Sequence, residues 1–174
     1  MKRFLKYVVP AAAIVLLCWY ISANWFQLML IQGDSMLPSY HNMQLVVLDK
    51  HNREYQVGDV IAFRYEGLSA VLVKRIAACE GDTVQIVDGT LYVNGKVSAL
   101  YEEGSFDYAG IFGDEIKLSQ DEYIVIGDNT AESKDSRNPE IGIVQEETII
   151  GKIILNRSKD PKSGLLKNWL NSQH

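Results

Sequence analysis

The sequence predicts a mostly β domain that follows one hydrophobic N-terminal helix. Three observations lead to this fold class. No charged residue occurs from residue 7 to residue 31, and after residue 33 the chain consists of short runs rich in Val, Ile, Tyr and Leu. Gly, Asp and Asn separate these runs, as is typical of strands joined by turns. A length of 174 residues is enough for one domain with a core and an appendage.

The apolar segment from residue 7 to residue 31 predicts a membrane anchor, because about 20 residues cross the hydrocarbon core as a helix. We assign residues 7–27 to this transmembrane helix. A cleaved secretory signal peptide is the alternative, since a small residue, Ala23, lies within the segment. The apolar run continues past Ala23 to Ile31, which favours a retained, single-pass anchor.

Basic residues before the apolar segment predict its orientation. They are the only charged residues before Asp34: Lys2, Arg3 and Lys6. Basic residues collect on the cytoplasmic side of a membrane span. We therefore expect a cytoplasmic N-terminus at residues 1–6 and an extracytoplasmic domain at residues 28–174, located at the cell membrane with the lipid bilayer as a partner.

The charge balance argues against nucleic acid as a partner. The chain has 22 acidic and 17 basic residues, and three of the basic ones precede the apolar segment, so the remainder is acidic and has no basic stripe. The cysteines predict no disulfide framework, because Cys18 lies in the apolar segment and Cys79 lies in the polar part. We expect a monomer.

Eight short runs predict the strands of the domain. They are Gln44–Leu48, Val60–Arg64, Ala70–Ala77, Thr83–Val87, Thr90–Val93, Glu115–Leu118, Tyr123–Ile126 and Thr148–Leu155. The dipeptides Asp88-Gly89 and Asn94-Gly95 predict tight hairpin turns. These hairpins lie in a segment of about 81–121, which we predict to be a small β lobe inserted into the main sheet. Residues Leu165–Leu170 have helical spacing and predict a short docked helix or a frayed end rather than a second membrane span.

Ser35 is the first candidate nucleophile, in the stretch GDSMLPSY. It lies between Gly33 and Pro38, a composition that is also typical of a simple turn. A serine hydroxyl attacks well only when a nearby base removes its proton. His41 and His51 lie in polar surroundings that would not orient them, although a triad is recognised by spatial geometry that a sequence does not exclude. A lysine is the better candidate base.

Lys74 lies in the run AVLVKRIAA. The alternation of a strand predicts that it shares a side with Leu72 and Ile76, while Arg75 points to the other side. Loss of hydration among aliphatic side chains penalises the ammonium and lowers its pKa. From about 10.4, a drop of about three units would leave roughly half of the amine neutral near pH 7. The alternative is an exposed lysine at a strand edge.

The stretch GDNTAESKDSR is rich in Asp, Asn, Ser and Gly and follows a predicted strand. Such a composition is first of all typical of a loop. Three of its residues offer an ion-pair network: Asp128, Asp135 and Arg137. Ser133 and Ser136 offer hydroxyls that could hold a neutral lysine, and a catalytic site needs such supporting groups.

The chain resembles the bacterial type I signal peptidases in three stretches: SMLPS at 35–39, VKRIAACEGD at 73–82 and GDNTAESKDSR at 127–137. The order of these stretches, their spacing and the preceding apolar segment also match, from the anchor to about Leu155. Three motifs in the same order make the resemblance specific. It implies the compact, single-span form of the family, a mostly β catalytic core with an inserted β lobe, and no metal or nucleotide cofactor.

The resemblance also implies roles for individual residues. Ser35 corresponds to the acylating nucleophile, Lys74 to the general base, and Ser133 to the serine that orients the lysine amine. Four residues correspond to supporting ion pairs: Asp128, Asp135, Arg137 and Arg75. The implied activity is that of a membrane-anchored serine endopeptidase that removes signal peptides of exported preproteins after small residues, as in A-x-A. The candidate oxyanion and substrate residues are Gly33, Met36 and Pro38.

The chain departs from the family pattern at four positions. Ser39 stands where threonine is frequent, Tyr40 where leucine is frequent, and Thr130 where arginine is common. Gly33 stands where some members have a serine whose hydroxyl helps to bind the oxyanion. We therefore expect the backbone amide of Ser35 to bind the oxyanion, since a lost donor of this kind costs about 10² to 10³ in rate.

Two other functions are compatible with parts of this pattern. A self-cleaving repressor-type protease also uses a serine and a lysine, but no DNA-binding segment precedes the pair here. A membrane-tethered β module that binds without catalysis would contain Ser35 as an ordinary turn residue and Lys74 as an ordinary strand residue.

Overall fold

The computed structural model describes residues 2–65, 67 and 70–154, without the side chains of residues 2–6 and 21–23. Eleven strands and one α-helix form within these residues. The predicted C-terminal helix at Leu165–Leu170 lies outside the described residues.

The N-terminal helix α1 covers Lys2–Trp25, and the chain then continues directly as a strand, β1, at Phe26–Leu30. This differs from the predicted helix, which continues to residue 27 within an apolar segment ending at Ile31. The cause is pairing, because all five residues of β1 lie in antiparallel register with the second strand. Among the described residues, no helix has both the length and the apolar character needed to cross a membrane.

The other strands are short, as expected for a domain with many turns. They are β2 (Leu45–Asp49), β3 (Val60–Tyr65), β4 (Ala70–Ala78), β5 (Thr83–Val87), β6 (Thr90–Val93), β7 (Lys96–Val97), β8 (Ile116–Lys117), β9 (Glu122–Ile126), β10 (Val144–Gln145) and β11 (Ile149–Ile153). Short 3-10 turns accompany them at Gly110–Gly113 and Glu146–Thr148.

The strands form two antiparallel sheets, which confirms the mostly β prediction. The larger sheet has the order β1-β2-β11-β3-β4-β9-β10, and the smaller sheet has the order β7-β6-β5-β8. The smaller sheet lies within the segment predicted as the inserted lobe. The turn residues Asp88, Gly89, Asn94 and Gly95 all have positive φ, as tight hairpins between β5, β6 and β7 require.

The eight predicted strands all occur, with ends that shift by two residues or fewer. Three further strands were not predicted: β1, β7 and β10. The sequence shows no alternation of apolar and polar residues at β1, because this strand lies within the continuous apolar run. The strands β7 and β10 have only two residues each. A strand of two residues has no alternation that a sequence can show, so its existence depends on its partner strand.

Packing on one face of the large sheet holds the segment that contains Ser35. Met36 is 1% exposed and Tyr40 is 2% exposed. Both belong to a buried cluster with residues of β2, β3 and β11, among them Leu48 and Ile153. The neighbours of Ser35 are therefore anchored in the core, which positions the serine at the sheet surface.

A buried ion pair joins β11 to the turn before β3. Nζ of Lys152 lies 2.9 Å from Oδ2 of Asp59 and also donates to the backbone oxygen of Glu54 at 3.0 Å. Both members of the pair are almost fully buried. The turn is tied to β4 as well, since the backbone N–H of Gly58 donates to the oxygen of Ile76.

We predict that Lys152→Ala lowers the free energy of unfolding by about 3–5 kcal/mol, because it removes the ammonium that faces a buried carboxylate. Urea unfolding of the detergent-solubilised chain, followed by circular dichroism, measures the change. The double variant Asp59→Asn/Lys152→Met, which removes both charges, is the matched control and should lose less stability than the single variant. A single variant that is as stable as the double variant would contradict the prediction.

Candidate active site

The structure brings Ser35 and Lys74 together. Nζ of Lys74 lies 2.7 Å from Oγ of Ser35, within hydrogen-bonding distance. Ser35 is in the turn between β1 and β2, whereas Lys74 is in the middle of β4. The serine backbone is held from the other side, because the N–H of Asn129 donates to the oxygen of Ser35 at 3.1 Å.

Lys74 is only 4% exposed, and this burial decides its ionisation. It lies opposite Ile61 of β3 in the sheet register, and Leu72 and Ile76 share its face, as the alternation predicts. Burial lowers the pKa of Lys74 to about 8. The carboxylates of Asp135 and Asp128 oppose this shift by raising the pKa, and Arg137 adds to it by lowering the pKa.

Arg75 points away from Lys74 and forms a buried ion pair with Asp128. Its Nε and Nη2 atoms donate to the two carboxylate oxygens at 2.8 and 2.6 Å. Its Nη1 atom donates to the oxygen of Gly58 at 2.8 Å, and Nη2 also lies 3.3 Å from Oγ of Ser39. The guanidinium therefore connects the segment after the nucleophile to the turn before β3 and to Asp128.

A second buried ion pair closes the segment Gly127–Arg137, which we call the site loop. Arg137 donates through Nε and Nη2 to both carboxylate oxygens of Asp135, at 2.8 and 2.9 Å. Nη2 also donates to the backbone oxygen of Thr130 at 2.7 Å and to that of Ser133 at 3.3 Å. The site loop is thus folded around one guanidinium, and this fixes the position of Ser133.

The Ser133 hydroxyl makes no hydrogen bond to any described residue. The resemblance implies that it orients the Lys74 amine, and the structure shows no such hydrogen bond. Ser136, the other candidate hydroxyl, accepts a hydrogen bond from the backbone N–H of Val125 at 3.0 Å. Ser136 therefore holds the site loop to β9, and no hydrogen bond joins it to Lys74 in the described residues.

Gly127 lies between Ser133 and Ser35. A Cβ atom at position 127 would lie 2.2 Å from Oγ of Ser133 and 2.5 Å from the backbone oxygen of Ser35. Any side chain here would push the two serines apart, so only glycine fits. Gly127 is not among the residues predicted from the sequence, where its signal is a glycine that immediately follows the last apolar residue of the strand YIVI.

The three remaining candidate residues have different surroundings. Gly33 has a φ of +85° and donates its N–H to Oδ1 of Asn42 at 3.0 Å, so this donor is already engaged. Pro38 is exposed, and the side chain of Met36 is buried in the core. No described residue accepts a hydrogen bond from the backbone N–H of Ser35.

One edge of β4 is open next to Lys74. The ladder between β4 and β9 begins at the pair Arg75 and Ile126, and the site loop then leaves the sheet. Residues 70–74 of β4 therefore have no strand partner on this side among the described residues. The backbone N–H and C=O groups of these residues that point away from β3 are available to pair with an extended chain.

Two histidines lie in the described part of the chain, and neither hydrogen-bonds to Ser35. His41 is exposed, and His51 stacks on Trp25 with ring centroids 4.3 Å apart. The geometry thus gives no support to a Ser-His arrangement in these residues.

A family model and known proteins match most of this chain. The model of the family described as "Signal peptidase, peptidase S26" matches residues 1–156. Signal peptidase I T of Bacillus subtilis is 34% identical over 149 residues, which cover 79% of this chain and 76% of that protein. Signal peptidase I of Bacillus licheniformis is 33% identical, with coverage of 86% and 84%.

A crystal structure of a signal peptidase I from Enterococcus faecalis is also similar, with a TM-score of 0.48 and 26% identity over 58% of this chain and 97% of that chain. The family match extends over most of the sequence and includes both Ser35 and Lys74. The chain therefore belongs to the peptidase S26 family of signal peptidases.

Proposed function

We propose that this chain is a membrane-anchored serine endopeptidase that removes signal peptides from exported preproteins by means of a Ser35–Lys74 dyad. The observation that carries the proposal is the 2.7 Å approach of a buried lysine amine to a serine hydroxyl. An amine that is kept dry loses its proton more readily and becomes a base at moderate pH. A family of signal peptidases supplies the reaction class, peptide-bond hydrolysis.

In the first step, the neutral amine of Lys74 takes the proton from Oγ of Ser35 while Oγ attacks the scissile carbonyl carbon. The tetrahedral intermediate collapses when the lysine gives this proton to the leaving amine, and an ester to Ser35 remains. In the second step, Lys74 takes a proton from water, and the resulting hydroxide attacks the ester. The serine leaves as an alkoxide and regains its proton from Lys74.

The developing oxyanion needs a hydrogen-bond donor about 2.7–3.1 Å from the position that it will occupy. The backbone N–H of Ser35 is the donor that the geometry favours, because no described residue uses it. Gly33 supplies no side-chain donor, and its N–H already binds Asn42. A single backbone donor is therefore the proposed basis of oxyanion stabilisation in the described part of the chain.

The two ion pairs would support the dyad in different ways. Arg75 and Asp128 tie the segment that follows the nucleophile to the site loop. Asp135 and Arg137 keep the loop closed next to the lysine. Ser133 would orient the amine during catalysis, because its hydroxyl has no other partner among the described residues and lies beside the Ser35 backbone.

The open edge of β4 supports an extended substrate. A signal peptide would add a strand along residues 70–74, which places its scissile bond near Lys74. Small residues before this bond, as in A-x-A, would fit shallow pockets. Met36 would lie beneath the substrate as part of the core, and Pro38 would border the exposed side of the turn.

The location at a membrane is supported by the apolar surface next to the site. Leu28, Leu30 and Leu45 of β1 and β2 are 66%, 46% and 57% exposed. This surface continues into the apolar residues of α1, and such exposed patches mark contact with another apolar phase. We propose that α1 anchors the chain in the cell membrane with residues 1–6 in the cytoplasm, and that a monomer works on the outer side.

A tethered β module that binds without catalysis is the competing function. It would use the same open edge of β4, but it would need neither the hydroxyl of Ser35 nor the amine of Lys74. Loss of processing in variants of these two residues separates the two functions.

We predict that Ser35→Ala and Lys74→Met each lower kcat/KM for cleavage of an exported precursor by at least about 10³, because general-base catalysis alone contributes about 10² to 10⁴. Electrophoresis of the precursor with the purified, detergent-solubilised chain measures the loss. Ser119→Ala and Lys117→Ala, at exposed positions of the same types, should cleave normally. Unchanged processing by either dyad variant would favour the binding module.

We predict that kcat/KM rises with pH and levels off above a pKa of about 8, because only the neutral form of Lys74 accepts the serine proton. Below that pKa the neutral fraction, and with it the rate, falls about tenfold per pH unit. Initial rates from pH 5.5 to 10 test this dependence, with circular dichroism at each pH as the control for folding. A rate that stays flat from pH 6 to 9 would exclude a lysine base.

We predict that Gly127→Ala lowers kcat/KM by about 10², because the added methyl group displaces Ser133 and the Ser35 backbone, and a shift of about 1 Å in a site can cost this much. Gly113→Ala is the matched control, since a Cβ atom there has no neighbour within 4 Å. Its activity should equal that of the unmodified chain. An equal activity of both glycine variants would show that the contact at position 127 is unimportant.

A further inference from the structure

A segment of the inserted lobe lies against the site loop. This segment, Ser105–Ile111, connects β7 to β8, and we call it the lobe strap. Oγ1 of Thr130 donates to the backbone oxygen of Ser105 at 2.7 Å. The backbone N–H of Ile111 donates to the oxygen of Arg137 at 3.1 Å. The strap is therefore bonded at each end to a residue of the site loop.

Aromatic rings of the strap cover the guanidinium of Arg137. The ring centroid of Phe106 lies 5.2 Å from the guanidinium carbon, and that of Tyr108 lies 5.1 Å from it. Cations are attracted to ring faces at such distances. Arg137 is 0% exposed, so the rings replace water around it.

The strap also approaches the backbone of Arg137 very closely. Gly110 has a φ of +60°, and a Cβ atom at this position would lie 2.0 Å from the oxygen of Arg137. A side chain would both strain this conformation and separate the strap from the loop. The glycine thus permits the contact on which the rest of the packing depends.

We propose that the lobe strap positions the site loop for catalysis, with Tyr108 and Thr130 as positioning residues that act on the dyad through Arg137. The inference rests on the proposed function of Ser35 and Lys74. It assigns a catalytic purpose to the inserted lobe, which contributes no residue to the dyad itself. It also gives Thr130 a task at the position where arginine is common in the family.

The contact geometry distinguishes Tyr108 from an ordinary core residue. The side chain is 47% exposed, so its loss removes little of the core. It covers a guanidinium that binds the backbone oxygens of Thr130 and Ser133. Removing the ring would therefore admit water to Arg137 and loosen the part of the loop that holds Ser133.

The effect on Lys74 has a definite sign. The charged groups that act on its amine are all in the site loop: Asp135 and Asp128 raise its pKa, and Arg137 lowers it. Water that enters near Arg137 also reaches its ion-pair partner Asp135, so the opposing effects of these two charges are screened together. Desolvation is the main cause of the lowered pKa of Lys74, and a looser loop would hydrate the lysine and raise this pKa.

The test is the pH profile of kcat/KM for Tyr108→Ala in the detergent-solubilised chain, with a signal-peptide substrate. We expect the acid limb to move up by about 0.5 to 1 pH unit, which lowers the rate at pH 7 about three- to tenfold. Thr130→Val, which removes the hydrogen bond to Ser105, should shift the limb in the same direction. Tyr108→Phe keeps the ring and should restore the original profile, and Val87→Ala, at an exposed lobe position, should leave it unchanged.

Direct titration of Lys74 by nuclear magnetic resonance, with its signal assigned from Lys74→Met, separates this inference from the proposed function. A raised pKa in Tyr108→Ala supports the inference even if the unmodified chain cleaves no precursor, a result that would refute only the proposed function. An equal loss of rate at every pH, or an unmoved Lys74 titration in Tyr108→Ala, would overturn the inference and leave the strap with a structural role alone.

Discussion

The removal of one lysine amine from water is the constraint on which the proposed site depends. Lys74 is nearly fully buried, and burial disfavours its charged form. Two carboxylates nearby work against this, because each would stabilise an ammonium. The structure limits their influence by pairing each of them with its own guanidinium, Arg75 for Asp128 and Arg137 for Asp135.

The same two ion pairs also organise the chain around the dyad. Arg75 binds groups from three separate parts of the sequence: Ser39, Gly58 and Asp128. Arg137 gathers backbone oxygens of the site loop. A buried ion pair adds little net stability by itself, so the value of these pairs lies in the geometry that they specify. The geometry of the dyad is well defined because the buried charged groups around it each require hydrogen-bond partners.

Much of this arrangement follows from the sequence, because it depends on local patterns. Alternation in AVLVKRIAA predicts the side of the sheet to which Lys74 points, and turn dipeptides predict the hairpins of the lobe. The prediction that the apolar segment is one helix differs from the structure after Trp25. An apolar edge strand and the end of an apolar helix have the same composition, and only pairing with β2 distinguishes them.

Other features depend on contacts between distant parts of the chain and leave little trace in a single sequence. Gly127 must be glycine because two serines approach it, one of them 92 positions away in the chain. The partner of Thr130 is a backbone oxygen in the lobe, which any residue type would provide. The hydroxyl of Ser136 accepts a hydrogen bond from the backbone of β9. The residue type of Ser136 and its place in the sequence suit a contact with the lysine equally well.

The direct transition from α1 to β1 has a consequence for how the cleaved bond of a substrate would be selected. No residue separates Trp25 from Phe26, the ring of Trp25 stacks on His51, and its backbone oxygen accepts a hydrogen bond from Lys50. With α1 in the bilayer, as proposed, no flexible linker separates the helix from the sheet. The distance between Ser35 and the lipid is therefore constant. The protein would then select the bond to be cut by the distance of that bond from the membrane, as well as by the residues around the bond.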